Sequence, residues 1–494
     1  MVYSSTRLNE SNETLTFSEA VVRGIAPDGG LYVPAFFPKV DLHDPFWITE
    51  SYQAFAKKIL SLYLDDFTEE EISSCVESAY DDKFTEASIA PIKSFADANF
   101  IELYHGRTSA FKDMALSILP YLLKTAANKL GTKDDIVILT ATSGDTGKAA
   151  LEGFADVEGI KIMVFYPTDG VSEIQRKQMT SQEGENVSVV GIKGNFDEAQ
   201  NGVKHIFLNS ELRAELAEKG YVFSSANSIN IGRLLPQIVY YVHAYFTLVK
   251  QRKVAIGEAV NIVVPTGNFG NILAAYYAKQ MGLPFDQFIC ASNVNHVLTD
   301  FIQSGVYDIE RVFKVTNSPS MDILISSNLE RFLHAISDGS TSIVSSLMSN
   351  LKENHRFEIT DAMRNQMKDF HGGFATDQET IHAIKELYEQ YGYVVDTHTA
   401  VAYKVYKDYV SQTGDHKQTL IASTASPFKF ADDVAEGLGL TSVGLDAFDV
   451  LNLLARETGL SVPETIRELK DKPVLHPKSI AVDEMVDEVR LFLR

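Results

Sequence analysis

The sequence predicts an α/β protein built on parallel sheets. Three observations support this fold class: short apolar strands recur along the chain, amphipathic helical patterns separate them, and polar turns follow several of them. A chain of 494 residues is long enough for about two to four domains with a cleft between them. The predicted strands are 135–140, 160–166, 186–191, 261–265 and 418–423.

The first ninety or so residues follow a different pattern of mixed helices and turns. A turn at Asp28-Gly29-Gly30 precedes the short apolar segment 31–34, and an acidic helix is predicted near 69–80. We therefore predict an N-terminal domain at 1–95, a large α/β domain at 96–130 and 225–494, and a smaller α/β domain at 131–224.

A helix is predicted close to the C-terminus. Ser461-Val-Pro463-Glu464 has the spacing of a capping box with an early proline, and Ile466 and Leu469 follow at helical spacing. This pattern predicts structure and carries no function.

Composition excludes several classes of function. A net charge of −22 opposes non-specific binding to nucleic acid or to anionic lipid, so an anionic ligand needs a local pocket of donors. The start of the chain lacks the apolar core of a signal peptide, and no apolar run reaches about 18 residues. Cys75 and Cys290 are far apart and fit buried small side chains rather than a disulfide or a metal site. We expect a cytoplasmic protein without membrane contact or metal.

The turn at 140–148, Thr-Ala-Thr-Ser-Gly-Asp-Thr-Gly-Lys, joins a predicted strand to a helix predicted at 149–154. Its amides and hydroxyls are suited to a small anion such as a carboxylate. A nucleotide P-loop is excluded because Gly144 lies only three residues before Gly147 and alanine follows Lys148.

The turn at 265–271, Pro-Thr-Gly-Asn-Phe-Gly-Asn, precedes a helix predicted at 272–281. Gly267 and Gly270 permit close backbone approach, and the helix adds its positive N-terminal end, which suits a dianionic phosphate. A tight strand-to-helix turn needs glycine even without a ligand, so that alternative stays open. A third turn, 422–427, offers hydroxyls to a polar ring atom, although Ser, Thr and Pro are ordinary turn residues.

Lys112 is the strongest candidate for a reactive side chain. It lies between Ala110-Phe111 and Met114-Ala115, at the start of a helical pattern. Desolvation and a helix N-terminus both lower the pKa of a lysine, which makes its amine nucleophilic toward an aldehyde. A lysine that extends from a helix end into solvent is the alternative from this segment alone.

In this segment the chain resembles the threonine synthase family. The family motif is H-G-P-T-x-A-F-K-D, whose lysine binds pyridoxal phosphate (PLP), and residues 105–113 read His-Gly-Arg-Thr-Ser-Ala-Phe-Lys-Asp. Arg107 stands where many relatives have proline, and Ser426-Pro-Phe428 replaces a common His-Pro-Ala. The long form of the family, which has no added regulatory domain for S-adenosylmethionine, matches best, so activation by that ligand is not expected. Other family blocks occur in order at 3–7, 17–20, 28–34, 141–147, 194–200, 227–233, 266–271 and 424–430.

The resemblance implies the tryptophan synthase beta-like fold, fold type II, with PLP in the cleft between two α/β domains and an added N-terminal extension. It implies that Lys112 carries PLP as a Schiff base and then moves protons at the α and β carbons of the substrate. Thr424 is expected to bind the pyridine nitrogen, with Asp145 near the ring oxygen. The residues expected to hold the cofactor phosphate are Gly267, Asn268, Phe269, Gly270 and Asn271.

The implied substrate is O-phospho-L-homoserine, converted with water to L-threonine and phosphate. For Arg233 a structural salt bridge is an equal alternative to a ligand role, and His105 is expected to be packed or hydrogen-bonded rather than catalytic. No nucleic acid or membrane partner is expected, and the chain is a monomer or a homodimer. The substrate carboxylate is expected at Thr142, Ser143, Gly144 and Thr146, and a substrate or domain-closure element at Asn227, Asn230 and Arg233.

Two other functions are compatible with parts of this pattern. A PLP-dependent phospho-lyase would release 2-oxobutyrate, ammonia and phosphate through the same first steps, and only the fate of the β carbon differs. A non-catalytic binding protein is expected to have lost the lysine or the phosphate turn, and both are present.

Overall fold

The computed structural model describes residues 1–7, 13–142, 144–168 and 171–494. Two separate sheets, parallel except at one edge of the larger sheet, form its centre, which agrees with the predicted fold class. The strands are β1 Tyr3–Ser5, β2 Tyr32–Pro34, β3 Ile92–Phe95, β4 Ala98–Glu102, β5 Asp135–Ala141, β6 Ile160–Pro167, β7 Val187–Ile192, β8 Tyr221–Ser224, β9 Val260–Pro265, β10 Phe285–Ser292, β11 Val306–Asp308, β12 Arg356–Glu358, β13 Phe370–Phe374, β14 Thr419–Ser423 and β15 Ser479–Ile480.

Helices cover the sheets and fill the N-terminal region. Within the described residues, none of them combines the length and the apolar character needed to cross a membrane. The helices are α1 Phe17–Arg23, α2 Phe46–Thr49, α3 Tyr52–Ser61, α4 Glu69–Ala79, α5 Asp113–Leu116, α6 Leu119–Lys129, α7 Asp145–Phe154, α8 Glu173–Thr180, α9 Phe196–Leu208, α10 Ser210–Glu218, α11 Ile231–Lys250, α12 Gly270–Gln280, α13 Val297–Ser304, α14 Leu329–Ile336, α15 Thr341–Asn354, α16 Asp361–Gln366, α17 Asp377–Tyr391, α18 Thr397–Thr413, α19 Ala431–Gly437, α20 Ala447–Thr458, α21 Glu464–Arg467 and α22 Met485–Phe492.

The larger sheet has the strand order β13-β10-β9-β14-β4-β3. All its pairings are parallel except β3 with β4, which is an antiparallel hairpin at the edge. The central strands β9 and β14 are buried along their whole length. Such continuous burial explains their apolar, β-branched sequences, because helices pack on both faces of a parallel sheet.

The smaller sheet has the order β15-β7-β6-β5-β8 and is parallel throughout. Its edge strand β15 comes from the end of the chain, and Met485, Val489 and Leu493 pack into the core of this sheet. The predicted domain boundaries placed these last residues with the large domain, so the C-terminal segment differs from that prediction. Separation in sequence by almost three hundred residues hides such a pairing.

The N-terminal region packs on α11, a 20-residue helix that is buried along most of its length. Helices α1, α2 and α3 contact α11, as does α12 from the larger sheet. Strands β1 and β2 form a two-stranded antiparallel sheet, in which only β2 follows the Asp28–Gly30 turn, and α4 is the predicted acidic helix. This region is therefore continuous with the core that supports the larger sheet.

Three predicted helix starts differ from the observed ones. Helix α7 begins at Asp145 rather than at Ala149, and α12 begins at Gly270 rather than at Ile272. The predicted capping box at Ser461 is wrong: α21 begins only at Glu464 and has no side-chain cap. The backbone of Pro463 is extended, with ψ 135°, so the helix cannot include the residues before it.

Candidate functional site

The site lies where the carboxyl ends of β4, β14 and β9 meet. These strands are parallel neighbours, so the loops that follow them lie together at one edge of the sheet. The Leu103 amide donates to the Ser423 carbonyl at 2.9 Å, and the Phe111 amide donates to the Thr424 carbonyl at 2.8 Å. These bonds place Lys112 directly beside the Thr424 loop.

The turn after β9 is held in an unusual backbone conformation. Phe269 has φ 63°, in the left-handed region, and its ring packs against Phe332 and Phe370 in the core. The site therefore receives the backbone of Phe269 and not its ring. A Cβ at Gly267 would lie 2.6 Å from the Ser320 carbonyl oxygen, so this position has room only for glycine.

The same turn provides donors for an anion. The Tyr241 hydroxyl donates to Asn271 Oδ1, while Asn271 Nδ2 is buried with no described partner. Asn268 is fixed by the Asn328 amide, which donates to its carbonyl at 3.0 Å, and by the Ser327 hydroxyl. An unpaired buried NH₂ group at the N-terminus of the 11-residue helix α12 fits a phosphate group.

Lys112 precedes the short helix α5, and its amine lies 3.7 Å from Asp145 Oδ2. Burial lowers the pKa of Lys112 to about 8, against the opposing effect of the Asp145 carboxylate. The positive charges of Lys429 and Arg233 lower this pKa further. A substantial fraction of the amine is therefore neutral near physiological pH and able to attack an aldehyde.

Asp145 is the acidic centre of the site. Burial alone would raise the pKa of its carboxyl, but the neighbouring charges of Lys429 and Lys112 hold that pKa well below its usual range. Lys429 Nζ lies 2.6 Å from Oδ1, and Gln175 Nε2 donates to the same oxygen at 3.0 Å. Asp145 is therefore ionised beside the Lys112 amine.

The turn after β5 in the smaller sheet leads directly into α7. Thr142 Oγ1 accepts from the Gly144 amide at 3.0 Å and from the Gly147 amide at 2.9 Å. Gly144 has φ 143°, and a Cβ there would lie 2.5 Å from the Gln175 side chain. The amides of Asp145 and Thr146 have no acceptor among the described residues and are suited to a carboxylate. Ser143 lies outside the described residues.

In the Asn227–Arg233 segment, some side chains are hydrogen-bonded to the surrounding fold, and others have polar atoms that remain able to bind a ligand. The side chain of Asn230 caps α11 and also donates to the Val21 and Ser225 carbonyls, so all its polar atoms are used by the scaffold. The side chain of Asn227 has no hydrogen bond among the described residues. This geometry makes Asn230 an organiser of the turn rather than a direct ligand.

Arg233 is buried, and one of its Nη atoms donates to the Ala226 carbonyl at 2.7 Å. Its Nε has no partner, and no carboxylate among the described residues forms a salt bridge with it. Burial lowers the pKa of Arg233 to about 10. The alternative of a structural salt bridge is therefore not found, and a buried cation without an anion remains.

His105 is hydrogen-bonded as the sequence suggested. Its Nε2 lies 3.0 Å from Glu102 Oε2, and its Nδ1 lies 3.2 Å from the Thr85 hydroxyl. The Tyr393 hydroxyl donates to the other oxygen of Glu102 at 2.9 Å. These contacts give His105 a structural role at the base of the Lys112 loop.

Three residues of the site were not predicted: Lys429, Gln175 and Ser320. The Ser320 hydroxyl lies 3.4 Å from Asp145 Oδ2, and its amide donates to His398 Nε2 at 3.1 Å. Lys429 belongs to the family block at 424–430, which was the one available signal. No local pattern indicates that its side chain points inward, because lysine is almost always exposed.

Comparison with known proteins shows which family the chain resembles in sequence. Residues 2–80 match the family described as "Threonine synthase N terminus", and residues 101–425 match "Pyridoxal-phosphate dependent enzyme". The chain is 35% identical to threonine synthase of Saccharomyces cerevisiae over 88% of this chain and 89% of that protein. It is 41% identical to threonine synthase-like 1 of Homo sapiens over 90% of this chain, and the match spans only 61% of that relative's length.

Solved structures give the same result. The PLP-bound threonine synthase from Brucella melitensis superposes with a TM-score of 0.88 at 33% identity over the full length of both chains. Threonine synthase from yeast gives a TM-score of 0.88 at 32% identity, covering 100% of this chain and 98% of the other. The similarity to these proteins, both in sequence and in fold, extends along nearly the whole chain and includes the N-terminal region. The chain therefore belongs to the threonine synthase family of pyridoxal-phosphate dependent enzymes.

Proposed function

We propose that this chain is a threonine synthase, which converts O-phospho-L-homoserine and water to L-threonine and phosphate. The observation that carries the proposal is the buried Arg233 with an unpaired Nε, close enough to Lys112 for its charge to lower the lysine pKa. In a chain of net charge −22, such an uncompensated buried cation suits a strongly anionic substrate.

The residues of the larger sheet would hold the cofactor. Lys112 would bind the aldehyde of PLP, the amides at the start of α12 and Asn271 Nδ2 its phosphate, and the Thr424 hydroxyl its pyridine nitrogen. When bound, PLP withdraws electrons and so stabilises negative charge on the carbons of an attached amino acid. The backbones of Gly267 and Ser320 approach each other closely beside the turn that would hold the PLP phosphate.

The turn at the start of α7 would hold the substrate carboxylate. The amides of Asp145 and Thr146 point from the N-terminus of a 10-residue helix and have no acceptor among the described residues. Arg233 would bind the substrate phosphate and stabilise it as it leaves the γ carbon. These two contacts would fix both ends of the substrate relative to Lys112.

Lys112 would move the protons. An amine with a pKa of about 8 accepts a proton at neutral pH and returns it readily, which is what alternating transfers at the α and β carbons require. Asp145, held ionised beside it, would stabilise the ammonium form between transfers. Exclusion of water until the β carbon is ready would then decide the product.

A phospho-lyase that releases 2-oxobutyrate is the second candidate. The 41% identity to relatives named threonine synthase-like 1 favours keeping it, because that name states a likeness to the synthase and not the reaction. Both reactions use the same residues up to loss of phosphate. They differ in whether water adds at the β carbon.

The decisive test is an assay of the purified protein with PLP and O-phosphohomoserine that follows phosphate, threonine and 2-oxobutyrate together. We expect equal amounts of phosphate and threonine. Lys112→Ala should reduce turnover by at least about 10³-fold, because both the cofactor attachment and the proton carrier are lost. Phosphate with 2-oxobutyrate would transfer the assignment to the lyase, and no phosphate at all would refute both.

A further inference from the structure

Lys429 is a buried cation that the proposed reaction has not used. Its side chain is fully buried, and it lies on the short 3₁₀ helix Pro427–Phe430. Its amine donates to the Thr108 carbonyl at 2.9 Å and lies 2.6 Å from Asp145 Oδ1. A buried lysine is retained only where its charge is compensated, so these two contacts define its role.

The two oxygens of Asp145 have different surroundings. Oδ1 receives Lys429 and Gln175, at 2.6 and 3.0 Å. Oδ2 faces the Lys112 amine at 3.7 Å and the Ser320 hydroxyl at 3.4 Å. The carboxylate therefore makes its short contact with Lys429, and its ion pair with Lys112 is the longer of the two, at 3.7 Å against 2.6 Å.

Lys429 is itself fixed to the segment that carries Lys112. Thr108, which accepts from Lys429, uses its amide and hydroxyl to bind the Asp113 carboxylate at 2.8 and 2.5 Å. Asp113 immediately follows Lys112, so the residues on both sides of the lysine are tied to this network. Lys429 thus links the Lys112 loop of the larger sheet to Asp145 on α7 of the smaller sheet.

We propose that Lys429 is a positioning residue that holds the Asp145 carboxylate away from Lys112 and so keeps the Lys112 amine available to PLP. Without Lys429, Asp145 would turn to its remaining cationic neighbour and shorten its ion pair with Lys112 from 3.7 Å to hydrogen-bonding distance. The reactive amine would then be held as an ammonium ion, which cannot attack an aldehyde. The inference rests on the proposed function only insofar as the same amine later moves protons on the substrate.

The charged groups that face Lys112 come from three elements: Asp145 on α7, Lys429 on the 3₁₀ helix and Arg233 on α11. Removal of Lys429 takes away a positive charge and frees a negative one, and both changes raise the pKa of Lys112. The sign is therefore definite: the pH needed to bind PLP must rise.

The experiment titrates each apo-protein with PLP across pH 6 to 10, roughly the range around the lysine pKa, and records the absorbance of the lysine-bound cofactor. Lys429→Met, of similar length and without charge, should raise the pH midpoint by about one unit. Lys429→Arg keeps the charge and should restore the midpoint to within about 0.3 units. A midpoint unchanged in Lys429→Met would overturn the proposal.

A double-mutant cycle tests whether Lys429 acts through Asp145. In an Asp145→Asn background, Lys429→Met should shift the midpoint by less than half of its effect in the natural chain. Equal shifts in the two backgrounds would show that Lys429 acts only by its own charge, which would contradict the positioning role.

Two features keep the test decisive. Circular dichroism and thermal unfolding establish that each variant is folded; if Lys429→Met is not, Gln175→Leu removes the other partner of Asp145 Oδ1 and should also raise the midpoint. No shift in that variant would refute the proposal.

The titration uses PLP alone and no substrate. The positioning role of Lys429 can therefore be refuted while the threonine assay succeeds, and a lyase product in that assay would leave the positioning role unaffected.

Discussion

The two turns that provide anion donors are supported in different ways. The 266–271 turn of the larger sheet is braced from outside: the Ser326 hydroxyl donates to the Gly267 carbonyl at 2.8 Å, and the Asn328 amide donates to the Asn268 carbonyl at 3.0 Å. In the turn between β5 and α7 of the smaller sheet, the amides of Gly144 and Gly147 donate to Thr142 Oγ1 of the same turn, and the outside contacts from Lys429, Gln175 and Ser320 reach the Asp145 side chain. A cofactor that stays bound suits the first arrangement, and a substrate that exchanges in every cycle suits the second.

The largest expected effect is a loss of PLP affinity on substitution of Gly267, in the turn of the larger sheet. Gly267→Ala would place a methyl group 2.6 Å from the Ser320 carbonyl oxygen, a backbone atom that cannot yield as the end of a flexible side chain can. Overpacking of this kind costs about 1–3 kcal/mol, so PLP affinity should fall by roughly 10- to 100-fold. Equilibrium titration of the apo-protein with PLP measures it.

Gly270→Ala is the matched comparison, because its Cβ would meet nothing closer than 3.4 Å. It should weaken PLP binding far less than Gly267→Ala. Equal losses in the two variants would mean that the turn is not rigidly braced, and the contrast between the two turns would not hold.

A substitution of Arg233 tests substrate binding separately from cofactor binding. Arg233→Met should raise KM for O-phosphohomoserine by about 10- to 100-fold, since a charge-assisted contact to phosphate is worth roughly 1.5–3 kcal/mol. The variant should still form the lysine-bound cofactor, because Arg233 is not placed in the PLP phosphate turn. Steady-state kinetics together with the cofactor absorbance separate the two effects. An unchanged KM would remove Arg233 from the substrate site.

The smallest expected effect is on stability, at a surface ion pair between the loop that carries Lys112 and helix α7 of the smaller sheet. Arg107 Nη1 lies 3.0 Å from Glu152 Oε1 on α7, and the Arg107 side chain is 50% exposed. Arg107→Ala should lower the free energy of unfolding by less than about 1 kcal/mol, as exposed pairs do. Chemical denaturation measures it, and raising the salt concentration should reduce the difference between the variant and the natural chain. A loss of several kcal/mol would show that this contact, contrary to the expectation, is a major contributor to the free energy of unfolding.

The sequence predicted the parallel strands and Lys112 because each has a local signature. Continuous apolar runs identify buried strands, and the resemblance extends over several ordered blocks. The start of α7 was missed because its cap comes from the Gly144 conformation and from Thr142, three residues before the helix begins. Lys429 was missed because its inward direction depends on Asp145, almost three hundred residues away in sequence. Pairings across such distances leave no local pattern.

The return of the chain to the smaller sheet at β15 limits how the two halves can move. In the described chain, the backbone passes between the sheets three times, near 130–134, near 225–230 and after α21. Two crossings alone would define an axis about which the halves could rotate freely. The third contains no helix or strand from 471 to 478, but the amides of Leu475 and His476 are already bonded to the Thr180 carbonyl on the smaller half. Residues 471–474 lie between these bonds and the 3₁₀ helix Glu468–Lys470, which itself contacts α8, and they span at most about 14 Å when extended. We expect this short third connection to limit how far the two sheets can move apart.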